Sequence, residues 1–398
     1  MLTALASYAL TDNVEILIGM SAGGQALNGN GLSNFLYGGG AAYTLEGMGG
    51  DDTLVGGLGS DILKGGAGND VYDVGGGGTV VELAGDGIDT IGTFLGDPSN
   101  YSQMYTLTDN VENLIGTAAS GQGVYGDALD NLIKMAGGND LVVLDGGGND
   151  RVEAGAGADY LYFGGTFTNA DSVHGGAGSD TVGLVGNYSI TFEADDLVSV
   201  EKLAVYNSGN AGAPAGYTLT TNDLNVAAGQ TMTIIAQSLQ ANELLTFNGS
   251  AETNGSFNVK GGRGADTITG GAGADVIWGN LGADTLRGGA GNDSFVYQSA
   301  AESNAGARDS ILDFAWGDRI GLMAIDPDGN ASNGNGKFAF IGSDAFHDVA
   351  GELRVTQDPA DSRAWLVEGA TNGDGAADFA LYVVAQPGQV IGATDFLL

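Results

Sequence analysis

Large apolar residues recur every nine positions along parts of this chain, separated by turns rich in glycine and aspartate. In residues 261–296 they are Ile268, Ile277, Leu286 and Phe295. Each is the middle residue of a three-residue segment, which predicts a short strand with one inward side chain. The six residues between segments carry glycines, which permit the positive φ of tight turns. The pattern therefore predicts a solenoid of strand-and-turn units.

Two nine-residue units make one coil of eighteen residues with a strand on each face. Stacked coils then form two parallel sheets, and the apolar side chains fill the thin core between them. We predict an all-β fold, a parallel β-roll or β-helix solenoid with a C-terminal β-rich capping module. The segment at about 184–259 lacks the aspartate motif but keeps short apolar runs, so we expect it to continue the same sheets.

The full template G-G-x-G-x-D-x-U-x, where U is large and apolar, recurs in separate arrays. The repeat aspartates of the first array are Asp52, Asp61 and Asp70, with a decayed unit at Asp89. A rougher array, in which the spacing slips to ten and twelve, contains Asp140, Asp150, Asp159, Asp171 and Asp180. The clearest array contains Asp266, Asp275, Asp284 and Asp293.

A longer duplication relates Tyr8–Gly38 to Tyr105–Met135, and its offset changes by nine residues, which is one repeat unit. The chain is therefore expected to fall into five segments. They are a first β-roll segment with repeats at 1–104, a degenerate one at 105–183, a metal-free continuation at 184–260, a metal-binding β-roll at 261–296 and a terminal module at 297–398.

The charge balance limits the kinds of ligand that the protein can be expected to bind. The chain has 12 Lys and Arg against 49 Asp and Glu, a formal net charge of -37. Such a surface repels nucleic acid, and without cysteine there are no thiolate metal sites. Aspartates eighteen residues apart should stack, so we expect a calcium ion with oxygen ligands between them. The alternative is that aspartate serves only as a turn former.

These repeats resemble the RTX, or haemolysin-type calcium-binding, family. The resemblance implies a β-roll, several Ca²⁺ ions, type I secretion and an extracellular or cell-surface location. It also implies ligand sets made of turn carbonyls and two aspartates. One set is Gly262, Gly264, Asp266, Gly279, Leu281 and Asp284; another is Gly271, Gly273, Asp275, Gly288, Ala290 and Asp293; a third is Met48, Gly50, Asp52, Gly65, Ala67 and Asp70. Met48 and Asn280 depart from the glycine template.

The last hundred residues resemble the final module of serralysin-type secreted metalloproteases, in segments such as RDSILDFAWGDRIGL and the terminal ATDFLL. Asp395 followed by apolar residues suits a type I secretion signal. The stretch TNGDGAADF resembles a further calcium loop with Asn372, Asp374 and Asp378, although Ala370 stands where an aspartate is expected. The N-terminus lacks the basic region of a cleaved signal peptide.

No catalytic site is expected. The chain has no HExxH motif, and its two histidines, His174 and His347, are far apart in sequence and read as structural or surface residues. We expect a structural, self-assembling surface-layer, filament or matrix protein, forming homo-oligomers and neither binding nucleic acid nor spanning a membrane. The alternative is the non-catalytic calcium-binding and secretion region of a larger secreted hydrolase.

Overall fold

A computed structural model describes residues 1–75, 77–93, 104–209, 216–328 and 336–398. The chain divides into two compact units, Met1–Asp180 and Thr181–Leu398. The described residues are organised in β-strands, with two single 3-10 turns at Ala300–Glu302 and Ala393–Asp395. The predicted parallel β-roll is confirmed. The five-segment division remains a prediction.

In the first unit, most strands pair in parallel with the strand one coil away. One sheet contains Leu2–Thr3, Ile16–Gly19, Phe35–Gly39, Thr53–Gly57, Val71–Asp73, Thr90–Thr93, Asn113–Gly116, Leu132–Lys134, Arg151–Glu153 and Ser172–His174. A second contains Ser7–Ala9, Ala26–Asn28, Thr44–Gly49, Ile62–Ala67 and Thr79–Val80. Other strands of this unit are Tyr105–Thr106, Gly123–Tyr125, Leu141–Val143 and Tyr160–Gly164, and the short pair Ala156–Gly157 with Ala177–Gly178.

The core follows the apolar position of the repeat. Leu36, Leu54 and Tyr72 are register partners on successive strands of the first sheet, and each is fully buried. Leu45 and Leu63 pair in the same way on the second sheet. Successive strands of the chain alternate between the two sheets, so one inward side chain per strand fills the space between them.

The second unit repeats this organisation. One set of parallel strands contains Thr181–Val185, Lys202–Tyr206, Thr231–Ile235, Ser256–Lys260, Val276–Trp278, Ser294–Val296, Arg319–Gly321 and Phe396–Leu397. The other sheet contains Tyr188–Thr191, Gly216–Thr220, Leu244–Asn248, Thr267–Thr269, Thr285–Arg287, Asp309–Phe314, Phe379–Ala385, Ala364–Ala370, Glu352–Gln357 and Ala339–Phe340. Leu197–Val198 is a further short strand.

Two features of the second unit bear on the sequence predictions. Gly216–Thr220 pairs with Leu244–Asn248, which pairs with Thr267–Thr269 of the clearest array. The segment without the aspartate motif therefore does continue the stacked sheets. Towards the C-terminus the pairing becomes antiparallel, where Ala364–Ala370 lies between Glu352–Gln357 and Phe379–Ala385. No described helix is long and apolar enough to cross a membrane.

Candidate metal centre

The repeat aspartates form ladders in which each carboxylate contacts the coil before it. The Asn34 amide donates to Asp52 Oδ1 at 2.6 Å, and the Asp52 amide donates to Asp70 Oδ1 at 2.7 Å. In the clearest array the Asp266 amide donates to Asp284 Oδ1 at 2.8 Å. The eighteen-residue spacing thus places these aspartates one above another, as predicted.

The rougher array joins the same arrangement. The Asp140 amide donates to Asp159 Oδ1 at 2.8 Å, and the Asp150 amide donates to Asp171 Oδ1 at 2.6 Å. A simple turn former would bond within its own turn. Asp171 does so as well, through Thr168. Bonding to the preceding coil shows that these side chains also link coils, although their spacing is irregular.

We call each aspartate of a ladder a rung. In many rungs, the second carboxylate oxygen is buried without a hydrogen-bond partner. Asp52 is 1% exposed and Asp140 is 2% exposed. Among the described residues, such orphaned Oδ2 atoms belong to Asp52, Asp61, Asp89, Asp140, Asp159, Asp284, Asp293 and Asp309. Burying a charged oxygen without a partner is costly. A row of such atoms is therefore suited to receive cations.

Burial also opposes ionisation of these groups. Desolvation raises the pKa of Asp140 to about 7, against the hydrogen bond from Gln122, and the charge of Asp159 adds to the increase. Desolvation raises the pKa of Asp52 to about 6. In the described ranges, the Lys and Arg salt bridges go to other acidic residues: Glu153, Asp361 and Glu368. None of these Lys or Arg salt bridges therefore neutralises a ladder aspartate.

The first glycine of each turn makes room for the carboxylate that ends the turn. A methyl group added at Gly65 would collide with Asp70 Oδ2 and with the Tyr72 hydroxyl oxygen. One added at Gly270 would collide with Asp275 Oδ2. The carboxylate therefore folds back over its own turn. The repeat pattern predicts these glycines only as turn formers, and does not predict the room that they leave for the carboxylate.

The turn carbonyls of the predicted ligand sets face neighbouring turns. The Gly65 carbonyl oxygen lies 2.7 Å from where a methyl carbon on Gly47 would stand. Similarly, the Gly279 carbonyl oxygen lies 2.6 Å from such a carbon on Gly261. The carbonyls of Met48, Gly50, Gly264, Gly271 and Gly273 point the other way, at the glycine eighteen residues later. The turn carbonyls therefore lie between stacked turns, where they approach the backbone of the neighbouring coil closely.

Some of these groups bond to one another. The Ala67 carbonyl accepts the Gly50 amide at 2.7 Å, and the Gly271 carbonyl accepts the Ala290 amide at 2.9 Å. The Gly262 amide donates to Asp266 Oδ2 at 2.6 Å. Gly288 donates to Asp313, and Leu281 lies in the turn before Thr285–Arg287. The exact ligand sets remain predictions, since these contacts would have to exchange for metal ligands.

Two rungs lie beyond the predicted arrays. The Asp284 amide donates to Asp309 Oδ1 at 2.8 Å, and the Asp293 amide donates to Asp318 Oδ1 at 2.9 Å. Each of these aspartates is followed, after one intervening residue, by a buried isoleucine, Ile311 or Ile320. That D-x-U signal is present in the sequence, but the G-G-x-G of the template does not precede it.

The other candidate residues have local partners. In the TNGDGAADF loop, Asn372 Nδ2 donates to Asp378 Oδ1 at 2.9 Å, and the Asp374 amide donates to Asn372 Oδ1 at 2.9 Å. His347 Nδ1 lies 2.8 Å from Glu352 Oε1, and His174 ends the strand Ser172–His174. Asp180 Oδ1 accepts the Asp159 amide at 2.9 Å and so continues the rougher ladder.

Comparison with known families agrees with this geometry. A family model of the RTX calcium-binding nonapeptide repeat, in four copies, matches residues 28–59, 46–81, 136–165, 168–182 and 260–295. These matches contain every repeat aspartate of the three arrays from Asp52 to Asp70, Asp140 to Asp180 and Asp266 to Asp293. The search of curated proteins finds no match.

Proposed function

We propose that this chain, which contains RTX calcium-binding repeats, is a secreted protein that folds on extracellular calcium and then assembles with copies of itself. RTX nonapeptide repeats bind Ca²⁺ and are characteristic of secreted proteins. The repeats alone do not imply assembly into a surface layer, filament or matrix. That part of the proposal is supported by a second feature, the outer face of the first sheet.

The observation that carries the calcium part is the row of buried, unpartnered carboxylate oxygens. Asp52, Asp140 and Asp293 each accept one backbone hydrogen bond and leave the other oxygen without a partner. Calcium takes six to eight oxygen ligands and accepts both carboxylates and carbonyls. Because the unfolded chain has no preformed site, the free energy of binding would contribute directly to folding.

The outer apolar face consists of Ile16, Phe35, Tyr37 and Val71, on three strands of the first sheet. Ile16 pairs with Phe35, and Thr53 lies between Phe35 and Val71 in the same row. The four side chains are between 38% and 51% exposed. Contiguous exposed apolar patches on soluble proteins mark interaction sites.

A second copy of the chain is the occupant that we propose for this face. The exposed side chains of this face are apolar, so it can pack against an identical face on another molecule. The net charge of -37 would oppose association of calcium-free chains. Bound calcium lowers that repulsion, which links assembly to the same ion that supports folding.

Replacing Ile16 and Phe35 together by serine should weaken assembly without touching a repeat aspartate. The mass of the calcium-loaded full chain would be measured by light scattering coupled to size-exclusion chromatography. We expect concentration-dependent oligomers for the unaltered protein and at least a tenfold higher concentration requirement for the double variant. Leu224→Ser, at a side chain 67% exposed in the second unit, is the matched control.

A calcium-saturated chain that stays monomeric at every concentration would contradict the assembly proposal. It would favour the alternative, a non-catalytic calcium-binding and secretion region of a larger secreted hydrolase. Equal weakening by Leu224→Ser would show that the outer apolar face is not the contact.

A further inference from the structure

Glu82 occupies a glycine position of the repeat. It follows the strand Thr79–Val80, in which Val80 pairs with Leu63. Counting on from that pair places Glu82 beside Gly65, the first glycine of the preceding turn on that edge. The turn from Glu82 to Asp89 is two residues longer than the turn from Gly65 to Asp70. The decayed unit thus has an extra carboxylate where the template has no side chain.

That carboxylate points into the first ladder. Glu82 Oε1 accepts the Gly65 amide at 3.1 Å and the Tyr72 hydroxyl. The Asp70 amide donates to Asp89 Oδ1 at 2.8 Å. One carboxylate oxygen from each of Asp70, Glu82 and Asp89 lies within 4.8 Å of the others.

Two oxygens of this cluster have no hydrogen-bond partner among the described residues: Glu82 Oε2 and Asp89 Oδ2. Glu82 is 7% exposed and Asp89 is 1% exposed. The neighbouring group on the far side is also acidic, because Glu112 Oε2 accepts the Asp89 amide at 2.8 Å. Hydrogen bonding therefore accounts for one oxygen of Glu82 and one of Asp89, whereas both oxygens of Asp70 have partners, Oδ2 through the Tyr72 hydroxyl at 3.5 Å. The neighbouring carboxylates add like charge around Asp89.

We propose that Asp70, Glu82 and Asp89 together bind one calcium ion at the end of the first array. Two oxygens that each lie 2.3–2.6 Å from a shared calcium ion are at most about 5 Å apart, which matches the observed cluster. Magnesium requires shorter bonds and retains several waters, so a buried site of this kind suits it less. The Glu82 side chain supplies an oxygen where the repeat would otherwise rely on backbone carbonyls.

This site rests on the proposed calcium binding but can fail by itself. Glu82→Gln keeps the shape of the side chain and the acceptor for Tyr72, and removes the charge. Bound calcium would be counted by equilibrium dialysis of the full chain with radioactive calcium, at a free calcium concentration that saturates the unaltered protein. We expect one ion fewer per chain. Glu15→Gln, at an exposed position of the same unit, should bind as many ions as the unaltered protein.

Glu82→Gly is a second variant, in which the glycine of the template is restored. It tests the loss of the same calcium ion if Glu82→Gln does not fold. We expect it also to bind one ion fewer. If a folded Glu82 variant binds as many ions as the unaltered protein with the same affinity, the site is overturned. If the unaltered protein binds no calcium, the proposed function itself fails.

Discussion

At the scale of single residues, the charge of the ladder side chain matters more than its shape. Asn34 and Asn131 occupy the equivalent position in other coils. The backbone amide of Asn34 donates to Asp52 at 2.6 Å, and that of Asn131 donates to Asp150 at 2.9 Å. Their amide oxygens accept from their own turns, from Asn30 and Asp127. Asparagine therefore fits this position, but its side chain bonds within its own turn. Aspartate adds a bond to the preceding coil and a buried negative charge that a bound cation would offset.

Asp140→Asn should consequently change stability in opposite directions with and without calcium. In calcium-free protein at pH 8 it removes a buried charge, since desolvation raises the pKa of Asp140 to about 7, so the variant should be more stable by roughly a few kcal/mol. With calcium bound it removes a ligand and should be less stable. Denaturant unfolding in chelator and in saturating calcium measures both.

The control for that comparison is Asp12→Asn, at an exposed site, which should shift stability little under either condition. A change of the same sign in chelator and in calcium for Asp140→Asn would contradict a cation role for this rung. It would indicate that the side chain acts only through hydrogen bonding.

At the scale of the strand and turn, the sequence is informative wherever the template is complete. Leu45, Leu54 and Leu63 follow the nine-residue spacing, and all three are core residues on alternating strands. Because the strand period and turn length are both fixed by the repeat, the register of these coils follows directly. The fold class and the stacking of Asp52 on Asp70 could therefore be predicted.

The rest could not be predicted because the turns change length. Asp309 and Asp318 each lie 25 residues after their ladder partners, where the template gives 18. The two extra residues in the turn at Glu82 hide a carboxylate in the same way. A fixed nine-residue spacing cannot locate a repeat that follows a longer turn. In the structure the longer turn lies outside the strands, and the next strand pairs with the preceding coil as before.

Gly65→Ala tests the close approach of carboxylate and turn. The added methyl group would overlap Asp70 Oδ2 and the Tyr72 hydroxyl, so we expect a loss of about 1–3 kcal/mol of stability and weaker calcium binding. Gly31→Ala is the matched control, because nothing lies within 4 Å of its added carbon. Thermal unfolding of both variants in calcium gives the comparison. Equal effects of the two substitutions would contradict this view of the turn.

At the scale of the whole molecule, both units contain ladders, and the chain has 49 acidic against 12 basic side chains. Self-repulsion of that size opposes a compact state. A chain of this kind should remain unfolded where calcium is scarce and fold where it is abundant. Calcium would thus decide where the protein becomes structured, and the outer apolar face would exist only after folding.

The most direct test is a calcium titration of the full chain followed by far-ultraviolet circular dichroism, at constant ionic strength and starting in excess chelator. We predict little β-structure at the start, a cooperative gain of β-signal as calcium is added, and loss of that signal when chelator is restored. Magnesium at the same concentration should not reproduce the gain. A full β-spectrum that persists unchanged in excess chelator would contradict calcium-driven folding.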